Sequence, residues 1–351
     1  MIPKLLRFAA AGLTVALLSL VLAAGAGAAP RQFYGVVSAG GDPTDAELAH
    51  IGRGKVGMLR VSLAWGAVES APGAPYNWNE YDALIGGAAR NGIRVLPTVY
   101  SSPIWLNGST ETPPLGPDLG KFQLFVLAAA QRYGANGTFW TENPDIPKLP
   151  FTYWQLWNEP NSPSFWKPKP NPKQYVKLLR GFESALKLGD PAARIVLAGL
   201  FMTPRIKNGI FLDRYLPALY RNGARGLFDA VAMHPYSTTP RQALDAIRDV
   251  RRLMARFKDR RKQLWITEVG WASAGQRTPL TVGRRRQARY LRQIFKLTAA
   301  NRGRFKIGSV FWYSLQDLSG KLWLNHTGLF TRGFSAKPAW KALVRLTGGS
   351  P

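Results

Sequence analysis

Short apolar runs rich in valine, isoleucine and aromatic residues alternate along this chain with amphipathic stretches of helical period. The runs begin near Phe33, Val56, Ile93, Phe151, Arg194, Phe228, Gln263 and Ile307. The helical stretches fall near 44–54, 79–91, 118–133, 172–188, 209–222, 240–258 and 281–300, with a last one near 336–346. Between 282 and 298, Ala288, Leu291, Phe295 and Thr298 make one stripe, and Arg285, Arg289, Arg292 and Lys296 the opposite face. Asp42-Pro43-Thr44 and Asn171-Pro172 read as helix starts, and Asn91-Gly92 and Asn222-Gly223 as left-handed helix ends. Strands apolar on both faces imply a parallel sheet covered by helices, and eight repeats close it. The fold class is therefore α/β, a single (β/α)8 TIM barrel over 30–351. Longer insertions follow strand three (101–117), helix three (134–150) and strand four (160–172).

The first residues do not fit that pattern. Lys4 and Arg7 precede an apolar stretch from about Phe8 to Ala24, and small residues follow up to Ala29. Residues 1–29 are expected to be an export signal, or else an N-terminal membrane anchor. The barrel is thus expected in a secreted or envelope-associated protein.

The chain of 351 residues has no cysteine and three histidines, His50, His234 and His326. Disulfides, thiolate zinc sites and cysteine nucleophiles are excluded, and no acidic cluster has metal-ligand spacing, so neither metal nor cofactor is expected. The net charge of +27 is large. Its densest runs, Arg251-Arg252, Arg260-Arg261-Lys262 and Arg284-Arg285-Arg286, lie in or beside helices and read first as a solvated outer face. An anionic polymer or surface adhesion is the functional reading of that charge; no nucleic-acid module accompanies it. A monomer is expected. Gly52-Arg53-Gly54-Lys55-Val56-Gly57 has dinucleotide-loop spacing but lies between a helix and the next strand, the reverse of the order that loop requires.

Two glutamates stand out. Glu159 follows Phe151-Thr152-Tyr153-Trp154-Gln155-Leu156-Trp157-Asn158, and Glu268 ends Gln263-Leu264-Trp265-Ile266-Thr267. A carboxylate at the end of a buried strand is costly to ionise and is rarely there for packing. Two of them, at the carboxyl ends of strands four and seven, are what cleavage of a glycosidic bond requires.

Trp157-Asn158-Glu159-Pro160 together with the later Glu268 resembles the clan A glycoside hydrolases over essentially the whole chain after the leader. The run through Asn161 to Trp166 looks most like family 39 and neighbouring bacterial members. The resemblance implies that Glu159 is the general acid/base and Glu268 the nucleophile of a retaining reaction. It further implies that Asn158 bonds the sugar 2-hydroxyl. Many clan members carry a histidine at the end of strand three, whereas this chain reads Pro97-Thr98-Val99-Tyr100.

Four helpers fit around the pair. Tyr236, in His234-Pro235-Tyr236 after strand six, is placed to donate to Glu268, and His234 to hydrogen-bond nearby. Arg60, an odd charge inside an apolar strand, would depress the pKa of Glu268. Trp312, ending strand eight, would floor the sugar subsite. Aromatic residues also collect on strand ends and loops: Trp65, Tyr100, Trp105, Trp166, Trp271 and Trp323. Of these, Trp105 and Trp166 are the expected stacking platforms. The sequence thus points to hydrolysis of a poly- or oligosaccharide. It leaves open transglycosylation by the same residues and a non-catalytic, wall-adhering barrel.

Overall fold

The structure, a computed structural model, describes residues 29–202 and 206–351. The expected leader lies, but for Ala29, outside the described residues. Eight parallel strands close in sequence order, β1 (Tyr34–Val37), β2 (Met58–Leu63), β3 (Arg94–Val99), β4 (Tyr153–Leu156), β5 (Arg194–Phe201), β6 (Ala230–His234), β7 (Gln263–Val269) and β8 (Ile307–Trp312). The last pairing joins Gly35 to Phe311. Eight main helices cover them: α1 (Asp45–Arg53), α2 (Asn79–Arg90), α3 (Asp118–Tyr133), α4 (Pro172–Gly189), α5 (Leu212–Arg221), α6 (Pro240–Arg256), α7 (Arg284–Ala300) and α8 (Pro338–Thr347). The expected barrel is the observed one.

Local chemistry fixes where these helices start and stop. Thr44 closes a capping box with Glu47 at α1. Asn171 and Thr239 cap α4 and α6, each with proline in the first turn. Gly92 and Gly223 take positive φ after α2 and α5, as the Asn-Gly pairs predict.

Inside the barrel the side chains stack in layers. Val37, Met58, Leu96, Val196, Ala230, Ala232, Trp265 and Phe311 form one buried apolar cluster. Two residues further along their strands come Arg60, Thr98, His234 and Thr267, so the period-two alternation sets a polar layer above the apolar one. Gln155 of β4 joins that layer and is fully buried. The register of β7 against β8 shifts between Ile266 and Val269, an irregularity that re-aims side chains beside the mouth. That shift accompanies the placing of Thr267 in the polar layer and of its neighbour Glu268 at the rim.

Candidate active site

Glu159 is delivered by a bent strand end. Trp157 and Glu159 both have positive φ, 67° and 39°, which costs a side-chain-bearing residue about 1–3 kcal/mol each. The surrounding structure holds the bend. The Glu159 N–H donates to the Gly199 carbonyl at 3.2 Å, and the Ser162 N–H donates back to the Glu159 carbonyl at 2.8 Å. Asn161 clamps the turn: its Oδ1 accepts from the Phe201 N–H at 3.0 Å, and its Nδ2 donates to the Phe201 and Ile210 carbonyls, both at 2.9 Å.

Glu268 is gripped on both oxygens. Arg60 Nη1 donates to Oε1 at 2.7 Å, and the Tyr236 hydroxyl donates to Oε2 at 2.8 Å. The Arg60 guanidinium is itself fixed, with Nε donating to Gln155 Oε1 at 2.7 Å and Nη2 to Asn158 Oδ1 at 2.9 Å. Across the mouth, His234 Nδ1 lies 2.6 Å from Glu159 Oε1, and its Nε2 lies 3.0 Å from the Thr267 hydroxyl. A Cβ at Gly199 would lie 1.9 Å from His234 Nε2, so only glycine leaves room for the imidazole.

Gln155 ties the two halves together. Its Oε1 accepts from Arg60 and from Thr98 Oγ1, so its Nε2 must face the Leu197 carbonyl at 2.9 Å and Thr267 Oγ1 at 3.4 Å. Thr267 thus links Gln155 to His234 Nε2, and the other ring nitrogen, Nδ1, presents its hydrogen to Glu159.

The two carboxyls are buried, each 7% exposed, and their near oxygens lie within 4.8 Å of one another. Their environments push them apart. Burial raises Glu159 above the ordinary carboxylate range, more than its hydrogen bond with His234 lowers it. Burial also acts on Glu268, but the charges of His234 and Arg60 and the hydrogen bonds from Tyr236 and Arg60 outweigh it and hold Glu268 low. Glu159, His234 and Glu268 could together offer three ligand atoms to a cation. Arg60 and Tyr236 already bond both oxygens of Glu268, and the Arg60 charge opposes a metal there.

Two expected residues sit elsewhere. Phe311 belongs to the barrel core, so alternation turns Trp312 outward, where it is fully buried against Trp271 and donates Nε1–H to the Thr327 carbonyl at 2.8 Å. The residue that reaches the mouth is the next one, half-buried Tyr313, whose ring meets Tyr236 edge-on at 6.5 Å. Trp166 is also fully buried, because the loop after Glu159 folds back and packs it against Trp157 and Tyr175; no sugar can stack on it. Trp105 is half-buried at the rim, edge-on to Trp65 at 5.5 Å and donating to the Glu69 carbonyl at 2.9 Å. Trp65 and Trp271 are core, whereas Trp323 meets Tyr236 at 5.5 Å and Tyr100 meets Trp157 at 5.1 Å, each half-buried.

Gln155, Thr98, Thr267, Asn161, Gly199 and Tyr313 were not singled out by sequence. Gln155 carried a usable signal, a polar residue amid an apolar strand, as Arg60 did.

A search of curated protein sequences finds no match. Solved structures share the fold. A family 39 glycoside hydrolase from Bacteroides cellulosilyticus WH2 superposes with a TM-score of 0.67 at 21% identity, over 91% of this chain and 63% of that one. A monomeric beta-xylosidase from Caulobacter crescentus CB15 gives 0.63 at 17%, over 91% and 69%. A GH5_18 protein from Streptomyces cattleya, in complex with Manb1-4GlcNAc, gives 0.62 at 19%, over 87% and 74%. This chain therefore spans less than two thirds of the family 39 enzyme's length. The family described as glycosyl hydrolase catalytic core matches residues 139–330, which run from before β4 to beyond β8 and include both glutamates. With more than half of its length matched, the chain belongs to the glycosyl hydrolase catalytic core family.

Proposed function

We propose that this protein is a retaining glycosidase that cleaves a poly- or oligosaccharide outside the cytoplasm. The observation that carries the reading is the carboxyl pair: two buried glutamates whose near oxygens lie within 4.8 Å, the pKa of one raised by burial and that of the other held low by Arg60, Tyr236 and His234. Retaining hydrolysis needs carboxyls about 5–5.5 Å apart, whereas an inverting pair needs about 6.5–9.5 Å to admit a water. Export rests on the leader-like sequence of residues 1–29.

In the first step Glu268 attacks the anomeric carbon as Glu159 gives its proton to the glycosidic oxygen, and the leaving sugar departs as an alcohol. A covalent glycosyl ester on Glu268 results. Glu159, now a carboxylate, takes a proton from water, which attacks the same carbon and releases Glu268. Arg60 and Tyr236 hold Glu268 ionised and orient it for attack. His234 aims Glu159 through Nδ1–H and favours its charged form in the second step. Asn158 spends its Oδ1 on Arg60, leaving its amide N–H2 for the sugar hydroxyl beside the reacting carbon. Tyr313 supplies the aromatic floor.

The test is reducing-end release from a panel of neutral, acidic and wall-derived polysaccharides and aryl glycosides, with Glu268→Gln as the blank. The anomer first formed would be read by NMR. Hydrolysis with retained configuration, abolished by Glu268→Gln, is expected. Inverted product, or a fully active Glu268→Gln, would overturn the reading. Oligosaccharide products longer than the substrate would mean that a sugar replaces water as acceptor.

A further inference from the structure

All strands of the barrel point one way, so the segments preceding them share one face, opposite the glutamates. On this face every strand begins at, or is preceded within five residues by, a lysine or arginine. The equivalent windows after the strands hold Asp42, Glu159 and Asp317 and, among the described residues, no lysine or arginine. The three acids within the windows before the strands are engaged, and Glu142 and Asp145 stand exposed farther back in the loop before β4. Asp190 accepts from the Ala135 and Ala192 N–H groups, Asp229 from the Ile195 N–H, and Asp259 from the Tyr220 hydroxyl.

Helix dipoles explain part of this charge, since cations in the last helical turn, such as Arg53, Arg90 and Arg221, complement exposed carbonyls. They do not explain three lysines. After α2, α5 and α8 the left-handed position that ends the helix is filled by Gly92, Gly223 and Gly348. After α1, after α6 and before β8 the same conformation is filled by Lys55, Lys258 and Lys306, with φ of 51°, 58° and 50°. A Cβ makes that conformation costly, and glycine avoids the cost. All three side chains are exposed. The chain accepts strain to keep charge at these turns.

We propose that the amino-terminal face of the barrel seats on an anionic lipid bilayer, with the glutamate mouth turned away from it. Charge complementarity carries the attraction. The chain also enters the barrel on this face, at Arg31, directly after the basic and apolar residues 1–29. A lipid surface beneath that entry point fits better than a soluble polymer.

The test uses the full chain with vesicles of phosphatidylcholine, alone or mixed with phosphatidylglycerol, over a salt series. Binding is expected to require phosphatidylglycerol and to weaken as salt screens the charges. At about fivefold per cation, Lys55→Gly, Lys258→Gly and Lys306→Gly together should weaken it on the order of a hundredfold. The same triple variant should melt at a higher temperature and keep its activity on soluble glycosides, a pairing that a structural role for the lysines does not produce. Arg285→Gln, Arg286→Gln and Arg289→Gln, in the mouth-side turns of α7, should leave binding unchanged. Wild-type affinity in the lysine variant, or binding indifferent to lipid charge, would overturn the proposal. So would capture by soluble polygalacturonate without capture by vesicles.

Discussion

Gly199→Ala is the most demanding check on the site, because one methyl group tests the placement of His234 and, through it, of Glu159. The new Cβ would lie 1.9, 2.5 and 2.6 Å from three atoms of the imidazole, where ordinary contact begins at 3.4 Å. The ring must retreat by about 1.5 Å to restore normal contact. From a starting length of 2.6 Å, a retreat of that size takes the bond to Glu159 outside hydrogen-bonding range. A hydrogen bond to a charged group is worth about 1.5–3 kcal/mol, so kcat/KM should fall by about 10- to 150-fold. Overpacking should cost about 1–3 kcal/mol of stability as well. The pH profile separates this from general damage. His234 lowers the pKa of Glu159, so losing its bond raises that pKa further, and the alkaline limb of kcat/KM should move to higher pH. Gly226→Ala is the control, since nothing lies within 4 Å of a Cβ there. The assay is initial rates on an aryl glycoside across pH, with calorimetry on the same samples. Wild-type kcat/KM and melting temperature in Gly199→Ala would refute the reasoning, as would a lower rate with an unmoved alkaline limb.

Four further outcomes concern the neighbouring residues. Arg60→Met breaks a buried pair at a cost of about 3–5 kcal/mol and raises the pKa of Glu268, so the acid limb of kcat/KM should move to higher pH. The same substitution should flatten acid destabilisation: the stability that ionised Glu268 contributes is full above the ordinary carboxylate value and is lost as pH falls through its depressed one, a loss calorimetry at successive pH values would follow. Trp166→Ala should cost about 3–5 kcal/mol in denaturant unfolding with KM unchanged, whereas a stacking platform would raise KM. Tyr313→Leu should weaken saccharide binding roughly two- to tenfold and Trp312→Phe should not, measured by inhibitor titration; the reverse order would restore Trp312 to the subsite.

The fold was legible because eight apolar runs and eight amphipathic helices each state their own period, and only a barrel satisfies all of them. Glu159 and Glu268 were legible for a related reason, since a carboxylate ending an apolar strand contradicts its surroundings. Parity was harder. Trp312 and Tyr313 are adjacent, and which of them faces the sugar depends on where Phe311 sits in the barrel, a matter of register that pairing with β1 and β7 decides. Trp166 misled because a long loop suggests exposure, yet this loop folds back onto α4. Gly199 could not be read at all: its importance is the absence of a side chain opposite an imidazole from the neighbouring strand.

The polar layer also bears on how the barrel comes together. Gln155 on β4 reaches Arg60 on β2, Thr98 on β3, a carbonyl on β5 and Thr267 on β7, and Thr267 reaches His234 on β6. None of these groups can be satisfied by a partial barrel, and a one-residue slip of any strand turns its member out of the layer. Each buried group left unpaired costs about 1–3 kcal/mol, against a whole-domain stability of about 5–15 kcal/mol. Misregistered closures are thus penalised by the same side chains that hold the glutamates. The contributing strands run from β2 to β7 without interruption, so the chain has no internal seam at which two half-barrels could fold apart and dock later. The joins that this layer leaves untied are those that β8 and β1 make with each other and with β7 and β2.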